Sequence, residues 1–351
     1  MNTSTPSNVV SLFSKTSAAV AVTTAAVDYA PVRQEARENG LSTPNWNVPT
    51  CKREDIGLTL HAQLDAKGVF YTVDGRDNFV QNNAGEFVST GSKTIYNETN
   101  EKTLGVMSKG YEIVQNENIF TSLFAEIERA GLDVSNAFTR VRMDNDGQRV
   151  MAEIIFPETS FDVAVGDTVA LSITAINSFD GSGAFHLKMG AFRFICANGM
   201  VSANGIIEYK HQHSKGLSAS SAAKHIANGM TQYNEDKESL LEQANTQVNA
   251  QDVYEALAIM NKIDTKLAPT YEQYQLVIRP TLKREPAIER HMGLWNKYKA
   301  ELGNTQWALN NVLTHISTHG DKPEYTADQN ITTRSGKEKL VGVALRNMLA
   351  A

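Results

Sequence analysis

The sequence predicts an α+β fold, in which an antiparallel β-meander with a packed helix is followed by a mostly helical C-terminal region. Three observations lead to this prediction. Apolar and polar residues alternate between positions 138 and 194, helical spacing occurs in one segment before them, and it dominates after Gly216. Strands grouped ahead of helices are typical of segregated α+β layers rather than of parallel βαβ units.

The chain of 351 residues divides into three predicted parts. Residues 1–49 are rich in Ser, Thr, Ala and Asn, carry four prolines and show no sustained period, so we predict a flexible leader. A short helix is predicted within it, after Pro31. Residues 50–215 are the predicted β-rich core, and residues 216–351 are the predicted helical region packed on or beside that core.

The first predicted elements precede residue 131. The stretch GVFYTVDGRDNFV indicates a strand, an Asp74-Gly75 turn and a second strand. A helix follows in VQNENIFTSLFAEIERAGLD, with Asn116 as its N-terminal cap and Gly131 as its stop. One face of this helix is apolar and is predicted to be core; it consists of Ile119, Phe120, Leu123, Phe124 and Ile127.

The clearest hairpin in the sequence is FTRVRMDNDGQRVMAEIIF, with Asp146-Gly147 at its turn. Its apolar residues alternate on one face, which leaves Arg140, Arg142 and Arg149 on the opposite face. The meander continues with a third strand in DTVALSITAINSF, a turn in FDGSGAF and a fourth strand in FHLKMGAFRFICA. Because polar side chains line one face, we expect a half-exposed antiparallel sheet.

The sequence after Gly216 is helical by composition and period. One long helical stretch runs through SASSAAKHIANGMTQYNEDKESLLEQANTQVNAQDVYEALAIMNKI. Three further helices are predicted in EPAIERHMGLWNKYKAELG, NTQWALNNVLTHISTHG and GKEKLVGVALRNMLA.

Composition excludes several classes of protein. Hydrophobic residues make up 41% of the chain and charged residues 21%, which is typical of a globular protein. A net charge of −6 argues against attraction of nucleic acid by the whole surface, so such a contact needs a local basic patch. No apolar run reaches the roughly 18 residues that span a bilayer, so we predict a cytoplasmic protein without membrane contact.

The sequence offers no familiar metal or cofactor motif. Cys51 and Cys196 are the only cysteines, too few for a disulfide framework or a four-ligand zinc site. His211 and His213 lack a third ligand at diagnostic spacing, and no glycine-rich segment matches a Walker or dinucleotide-binding loop. We therefore predict no metal and no cofactor.

A basic segment runs from residue 186 to residue 215, with one acidic residue, Glu208, and interleaved aromatic residues. Basic side chains attract phosphates, and exposed aromatic rings stack on unpaired bases. With the hairpin arginines, the predicted nucleic-acid-binding residues are Arg140, Arg142, Arg149, Lys188, Arg193, Tyr209, Lys210 and Lys215. The alternative is a core strand, since Phe192 and Phe194 share a parity, with its cations in solvent.

Four segments occur in a fixed order: GVMSKGYEIVQNENIF, AINSFDGSGAFHLKMGAFRFICANGMV, YKHQHSKG and NTQWALNNVLTHISTH. Together they resemble the phage and plasmid protein family called domain of unknown function 932. The positions that match the family motifs are Gly105, Tyr111, Val114, Gln115, Asn116, Asn177, Ser178, Asp180, Gly181, Ser182, Arg193, Cys196, Asn198, Gly199, Trp307, Asn311 and Thr314. Met107 replaces a family valine, and Phe179 replaces a family histidine, which argues against an enzyme built on that turn.

The resemblance implies a mobile-element protein that works inside a bacterial cell. An antiparallel sheet with a packed helix and a basic hairpin is also similar to the core of phage single-strand annealing proteins, an analogy of fold alone. We predict a DNA-metabolism protein that binds single-stranded DNA in recombination or replication and self-associates. The alternative is an enzyme or host-directed factor with a polar site at Asp180, Arg193, Cys196 and Asn198, its reaction unidentified.

Overall fold

The computed structural model describes residues 57–164, 167–193, 198–200, 207–320 and 331–350. The predicted leader and the predicted helix after Pro31 lie outside these residues, as do Cys51, Phe194 and Cys196. Among the described helices, none is both long enough and apolar enough to cross a membrane.

A short helix, α1 (Leu60–Ala66), precedes a three-stranded antiparallel sheet. The strands of this sheet are β1 (Val73–Gln81), β2 (Phe87–Asn97) and β3 (Lys102–Ser108).

The predicted Asp74-Gly75 turn is wrong, because β1 runs straight through both residues and Gly75 pairs with Ile95. A Cβ atom at Gly75 would lie 3.1 Å from the side chain of Ile113, so the glycine makes room for packing. The chain turns instead at Asn82, whose side-chain oxygen accepts hydrogen bonds from the backbone of the next residues in the turn.

Helix α2 (Asn116–Arg129) buries the apolar face that its spacing predicts. The prediction that Asn116 caps this helix is wrong, because the N-cap position belongs to Gln115, which makes no side-chain capping bond. The side chain of Asn116 donates instead to the carbonyl oxygen of Val69, at 3.0 Å. A tertiary contact has taken the place of a local cap.

The predicted meander forms a large antiparallel sheet with strands β4 (Phe138–Asp144), β5 (Arg149–Ala164), β6 (Asp167–Ser178) and β7 (Phe185–Arg193). Two short strands, β8 (Asn198–Met200) and β9 (Ile207–His211), pair with different halves of β7. The predicted Asp146-Gly147 turn is confirmed: the φ angles are 57° at Asp146 and 98° at Gly147.

The region after Gly216 is helical, as predicted. Its helices are α3 (Ala219–Asn228), α4 (Met230–Asn245), α5 (Ala250–Asn261), α6 (Tyr271–Gln273), α7 (Ala287–Leu302), α8 (Gln306–Thr318) and α9 (Ile331–Ala350). Helix α6 continues into a π-turn at Tyr274–Ile278 and a 3₁₀ turn at Arg279–Thr281.

The expectation of a half-exposed sheet is wrong. Helices α2 and α3 pack on the face that carries Ile154, Ile173 and Met189. Helix α9 lies against the opposite face, where Arg334 reaches Glu153, whose exposed fraction is only 2%. The polar residues of that face are thus partly covered by a helix from the end of the chain, and the large sheet lies between two helical layers.

Candidate functional site

A row of side chains crosses the large sheet on its polar face. The strand register places Arg142 opposite Met151, Met151 opposite Ile176, Ile176 opposite His186, and His186 opposite Lys210. Directly opposed residues point to the same side of an antiparallel sheet. At about 4.8 Å per strand, the row from Arg142 to Lys210 is roughly 19 Å long. We call this the basic row, since a cation stands at each end.

A pocket of ≈ 220 Å³ opens beside the basic row. It is bounded by the end of β6 and the turn after it, by β5, β7 and β9, and by the N-terminal half of α9. Its polar and charged lining consists of Arg149, Ser178, Ser182, His186, Lys210 and Lys339. Three of these side chains are cationic, and Lys339 was not found by sequence reasoning.

His186 is a nearly buried imidazole in the lining of this pocket, with an exposed fraction of 5%. Within the described part of the chain, neither of its ring nitrogens has a hydrogen-bond partner. Burial, together with the neighbouring cations Lys188, Lys210 and Lys339, lowers the pKa of His186 to about 3 against the opposing effect of Glu338. The imidazole is therefore neutral near pH 7 and presents one donor and one acceptor to a ligand.

The side chains of Lys210 and Lys339 both line the pocket. Burial lowers the pKa of Lys210, and repulsion from Lys339 adds to the effect. An anion placed between two ammonium groups favours the charged form of both. The pocket therefore has the electrostatic character of an anion-binding site.

The turn after β6 forms one wall of the pocket. Asp180 accepts hydrogen bonds from the hydroxyl of Ser178 at 2.7 Å and from the backbone nitrogen of Ser182 at 3.0 Å. Gly181 has a φ angle of 70°, so the predicted structural turn is confirmed. Burial raises the pKa of Asp180, but the Ser182 and Ser178 hydrogen bonds and Arg149, 3.6 Å away, hold it below its usual range.

Hydrogen bonds join the polar residues around this turn to residues in other parts of the fold. The hydroxyl of Tyr111 donates to the carbonyl oxygen of Ser178 at 2.6 Å. The side-chain amide of Asn177 donates to the carbonyl oxygen of Val114 and to the side chain of Asn116, at 2.9 and 2.8 Å. We call these residues the turn cluster, which comprises Tyr111, Val114, Asn116, Asn177, Ser178, Asp180, Gly181 and Ser182.

Gly105 and Gln115 support the turn cluster. A Cβ atom at Gly105 would lie 3.1 Å from the Cα atom of Asp180, so only glycine lets β3 approach the turn this closely. The side chain of Gln115 pairs with both backbone groups of Val73 and fixes the start of α2 against β1. Two sequence motifs more than sixty residues apart therefore form one hydrogen-bonded unit.

A second cluster lies at the other end of β6 and β7. Arg193 donates to both carboxylate oxygens of Asp167, at 2.6 and 2.7 Å. The indole nitrogen of Trp307 donates to the same carboxylate at 2.7 Å, and Glu301 lies 4.0 Å from Arg193. Arg193, Asp167 and Trp307 are fully buried. We call Asp167, Arg193, Glu301 and Trp307 the end cluster.

A family model described as "Domain of unknown function (DUF932)" matches residues 103–343. The chain belongs to this family. No curated protein and no solved structure matches the chain. The DUF932 match includes the turn cluster, the end cluster and all the cations of the pocket. It therefore confirms the resemblance read from the four sequence segments.

Two predicted phosphate ligands of this DUF932 chain lie in its interior. The prediction for Arg193 is wrong, because its guanidinium is fully buried and bound to Asp167. The prediction for Lys188 is also wrong, because its buried ammonium pairs with Glu338 of α9. Although burial raises the pKa of Glu338, Lys188 and Arg334 hold it below its usual range.

The remaining predicted ligands lie at different depths. Arg140 pairs with Glu153 at 3.2 Å and belongs to the covered part of the sheet. Tyr209 is half-buried between Phe185 and His211, and Lys215 is exposed in the loop after β9, outside the pocket lining. Phe185 is fully buried, so its ring cannot stack on bases.

The two histidines that follow β7 in the sequence are held apart by aromatic neighbours. His211 stacks on Tyr209, and His213 stacks on Tyr111 and contacts the carbonyl oxygen of Glu112. In the described parts of the chain, no group of three His, Cys, Asp or Glu residues could hold a metal ion.

The alternative polar site is not assembled in this DUF932 fold. Asp180 follows the C-terminal end of β6, whereas Arg193 pairs with Val169 near the other end of that strand. Nine residues of extended strand separate the two ends by roughly 30 Å. Asn198 pairs with Arg193 in the β7–β8 ladder, and Cys196 lies outside the described residues. The prediction of one site made from these residues is wrong.

Phe179 stands where the resemblance read from the sequence implies a histidine. Its ring is fully buried and packs edge to face on Tyr71, with ring centroids 5.8 Å apart. This position points into the core and away from the pocket lining. The substitution therefore changes packing beneath the turn and leaves the cations of the pocket in place.

Proposed function

We propose that the chain binds the phosphate backbone of single-stranded nucleic acid along the basic row and the pocket. It would act as a DNA-metabolism protein of a phage or another mobile element, in recombination or replication in the bacterial cytoplasm. One observation carries the proposal: Arg149, Lys210 and Lys339 line one pocket beside a nearly buried, neutral histidine, on a chain whose net charge is −6.

The ion pairs around the pocket leave positive charge for a ligand. Arg142 lies 3.3 Å from Asp144, and Arg149 lies 3.6 Å from Asp180. Lys210 and Lys339 are exposed and form no ion pair with a described acidic residue. Such exposed cations attract phosphates and displace the counterions that are condensed on the nucleic acid.

The shape of the surface favours a polyanion over one small anion. The two ends of the basic row, Arg142 and Lys210, reach solvent roughly 19 Å apart, a span several times the size of one phosphate group, while the side chains between them are buried. A flexible single strand can reach from one end of the row to the other and place one phosphate in the recess, beside the cationic side chains of Arg149, Lys210 and Lys339. Preference for single strands then rests on flexibility, since Phe185 is unavailable for stacking.

The proposal is tested by charge reversal at the two exposed lysines. We expect Lys210→Glu combined with Lys339→Glu to weaken binding of a fluorescent single-stranded oligonucleotide at least about tenfold, or about 1.4 kcal/mol. The two changes replace attraction by repulsion within one pocket. Fluorescence anisotropy at low salt measures the affinity, with unlabelled duplex as competitor.

The matched control reverses two exposed lysines outside the pocket, Lys102 of β3 and Lys224 of α3. It makes the same change in net charge and should alter the affinity by less than about twofold. Equal losses in both double variants, or absence of single-strand binding at about 50 mM salt, would overturn the proposal.

A further inference from the structure

The end of the β1–β2 hairpin forms a two-stranded ribbon, residues 77–92. Its four large apolar side chains are exposed, by 56% at Phe79 and Val80, 75% at Phe87 and 47% at Val88. The register pairs Val80 with Val88, Phe79 with Ser89, and Gln81 with Phe87. The two phenylalanines therefore share one face of the ribbon and the two valines share the other.

This arrangement is unfavourable for a ribbon in water. An isolated two-stranded hairpin is marginally stable, and apolar residues on both faces add unburied apolar surface. Among the described strands, β1 pairs with β2 alone and leaves its outer edge open. Such a ribbon gains stability by docking on another surface.

A second exposed apolar patch lies on the helical side of the chain, around α6. The exposed fractions are 67% for Leu267, 70% for Leu276, 56% for Val277 and 39% for Leu282. Leu276 and Val277 belong to the π-turn Tyr274–Ile278. π-Turns are rare and often lie at functional sites.

Packed aromatic residues support the patch. The rings of Tyr271 and Tyr274 stack with centroids 5.8 Å apart, and Tyr274 is buried. The hydroxyl of Tyr254 donates to the carbonyl oxygen of Ala268 and fixes the segment before α6. The exposed leucines and valine thus stand on a packed support and are presented outward.

The two surfaces carry opposite charge. Between positions 77 and 92 the ribbon contains two acidic residues and no Lys or Arg. Asp77 pairs with Lys109 at 3.5 Å, so Glu86 supplies the negative charge near the end of the ribbon. From residue 266 to residue 284 there are four basic residues and one acid, Glu272. Arg279 pairs with Glu289, so the positive charge of the patch comes from Lys266, Lys283 and Arg284. Complementary charge steers association and fixes the register of an interface.

We propose that the ribbon of one copy of the chain docks on the α6 patch of a second copy. Because the two surfaces differ, the contact is head to tail, and successive copies close into a ring or extend as a filament. Docking of the ribbon on the patch does not require nucleic acid. It identifies the partner as the chain itself, through apolar contact and opposite charge.

The test compares the full-length chain with two variants by sedimentation velocity. Phe79→Ser with Phe87→Ser changes the ribbon, and Leu276→Ser with Val277→Ser changes the patch. All four side chains are exposed, so both variants should fold, which circular dichroism checks. We expect the wild type to sediment as assemblies larger than a dimer and each variant alone as a monomer.

Mixing the two variants is the decisive step. Each variant keeps one working surface, so the mixture should form a 1:1 dimer and nothing larger. A second mixture uses Glu86→Lys against Lys266→Glu with Lys283→Glu, where pairing of the swapped charges should extend assembly beyond the 1:1 dimer that the unchanged surfaces form. A monomeric wild type, unchanged assembly of either variant, or a mixture that stays monomeric would each overturn the inference.

Discussion

The two ends of the β6–β7 strand pair carry the same chemistry in different surroundings. At the end cluster, Arg193 and Asp167 are 2.6 Å apart and both side chains are fully buried. At the turn cluster, Arg149 and Asp180 are 3.6 Å apart, and their side chains are 19% and 14% exposed. Each pair joins an arginine to an aspartate and includes positions of the family motifs.

The difference lies in what covers each end. At the end cluster, the indole nitrogen of Trp307 in α8 also donates to the Asp167 carboxylate, and the side chains of Asp167, Arg193 and Trp307 are buried from solvent. At the turn cluster, α9 leaves a pocket in which two further lysines lie. The buried pair therefore stabilises the fold, whereas the open pair belongs to a surface that can bind an anion. Residues of one family motif need not serve one purpose.

The largest effect is expected from Asp167→Ala. This change leaves the Arg193 guanidinium buried without its bidentate partner, which typically costs about 3–5 kcal/mol. Urea denaturation followed by circular dichroism measures the free energy of unfolding. Asp162→Ala is the control, because Asp162 lies on the adjoining strand and is exposed. If both variants lose the same free energy of unfolding, the end cluster contributes no more to stability than an exposed aspartate.

A smaller loss is expected from Gly181→Val in the turn cluster. Valine at a φ angle of 70° is strained by about 1–3 kcal/mol, while Met107 can move away from the added side chain. Thermal denaturation measures the loss. Gly110→Val is the control, because a Cβ atom at Gly110 meets nothing within 4 Å. Full stability with loss of nucleic-acid binding would show that this turn contacts the ligand directly.

A pH-dependent effect is expected from His186. Its pKa in the folded chain is about 3, because of burial first and then of Lys188, Lys210 and Lys339, against the opposing effect of Glu338. Below its ordinary pKa near 6.5, the unfolded chain takes up a proton that the folded chain refuses, so stability falls as pH falls from 6.5 towards 3.

His186→Gln removes this contribution. The melting temperature of the wild type should therefore fall more between pH 6.5 and pH 4 than that of the variant. His225→Gln, at an exposed position of α3, should behave like the wild type. Parallel pH profiles for all three proteins would mean that His186 is hydrated in the folded chain.

Features that depend on neighbours in sequence were predictable. Alternation fixed the faces of β5, β6 and β7, and the Asp146-Gly147 turn formed because both residues adopt the left-handed backbone that such a turn needs. The same dipeptide at Asp74-Gly75 led to a wrong turn prediction. Its glycine lies within a strand, where the absence of a side chain makes room for Ile113, thirty-eight positions later. A contact between residues so far apart in sequence cannot be predicted from the residues at the turn.

The pocket could not be predicted from sequence, because its lining comes from distant segments of the chain. Parity placed Lys188 and Arg142 on one face of the sheet, yet it could not show that α9 buries the first and leaves the second half-exposed. Lys339 had no local signal, since it is one exposed lysine of a helix. His186 had a weak signal, because it shares its parity with Lys188 and lies opposite Lys210 once the register is known.

The salt dependence of single-strand binding tests the central claim most directly. For single strands, the slope of log Kobs against log salt is about −0.7 per phosphate contact. Lys210→Ala with Lys339→Ala should therefore make the slope shallower by about 1.4, while Lys102→Ala with Lys224→Ala leaves it unchanged. A slope that stays at the wild-type value in the Lys210/Lys339 variant would contradict a phosphate site in this pocket.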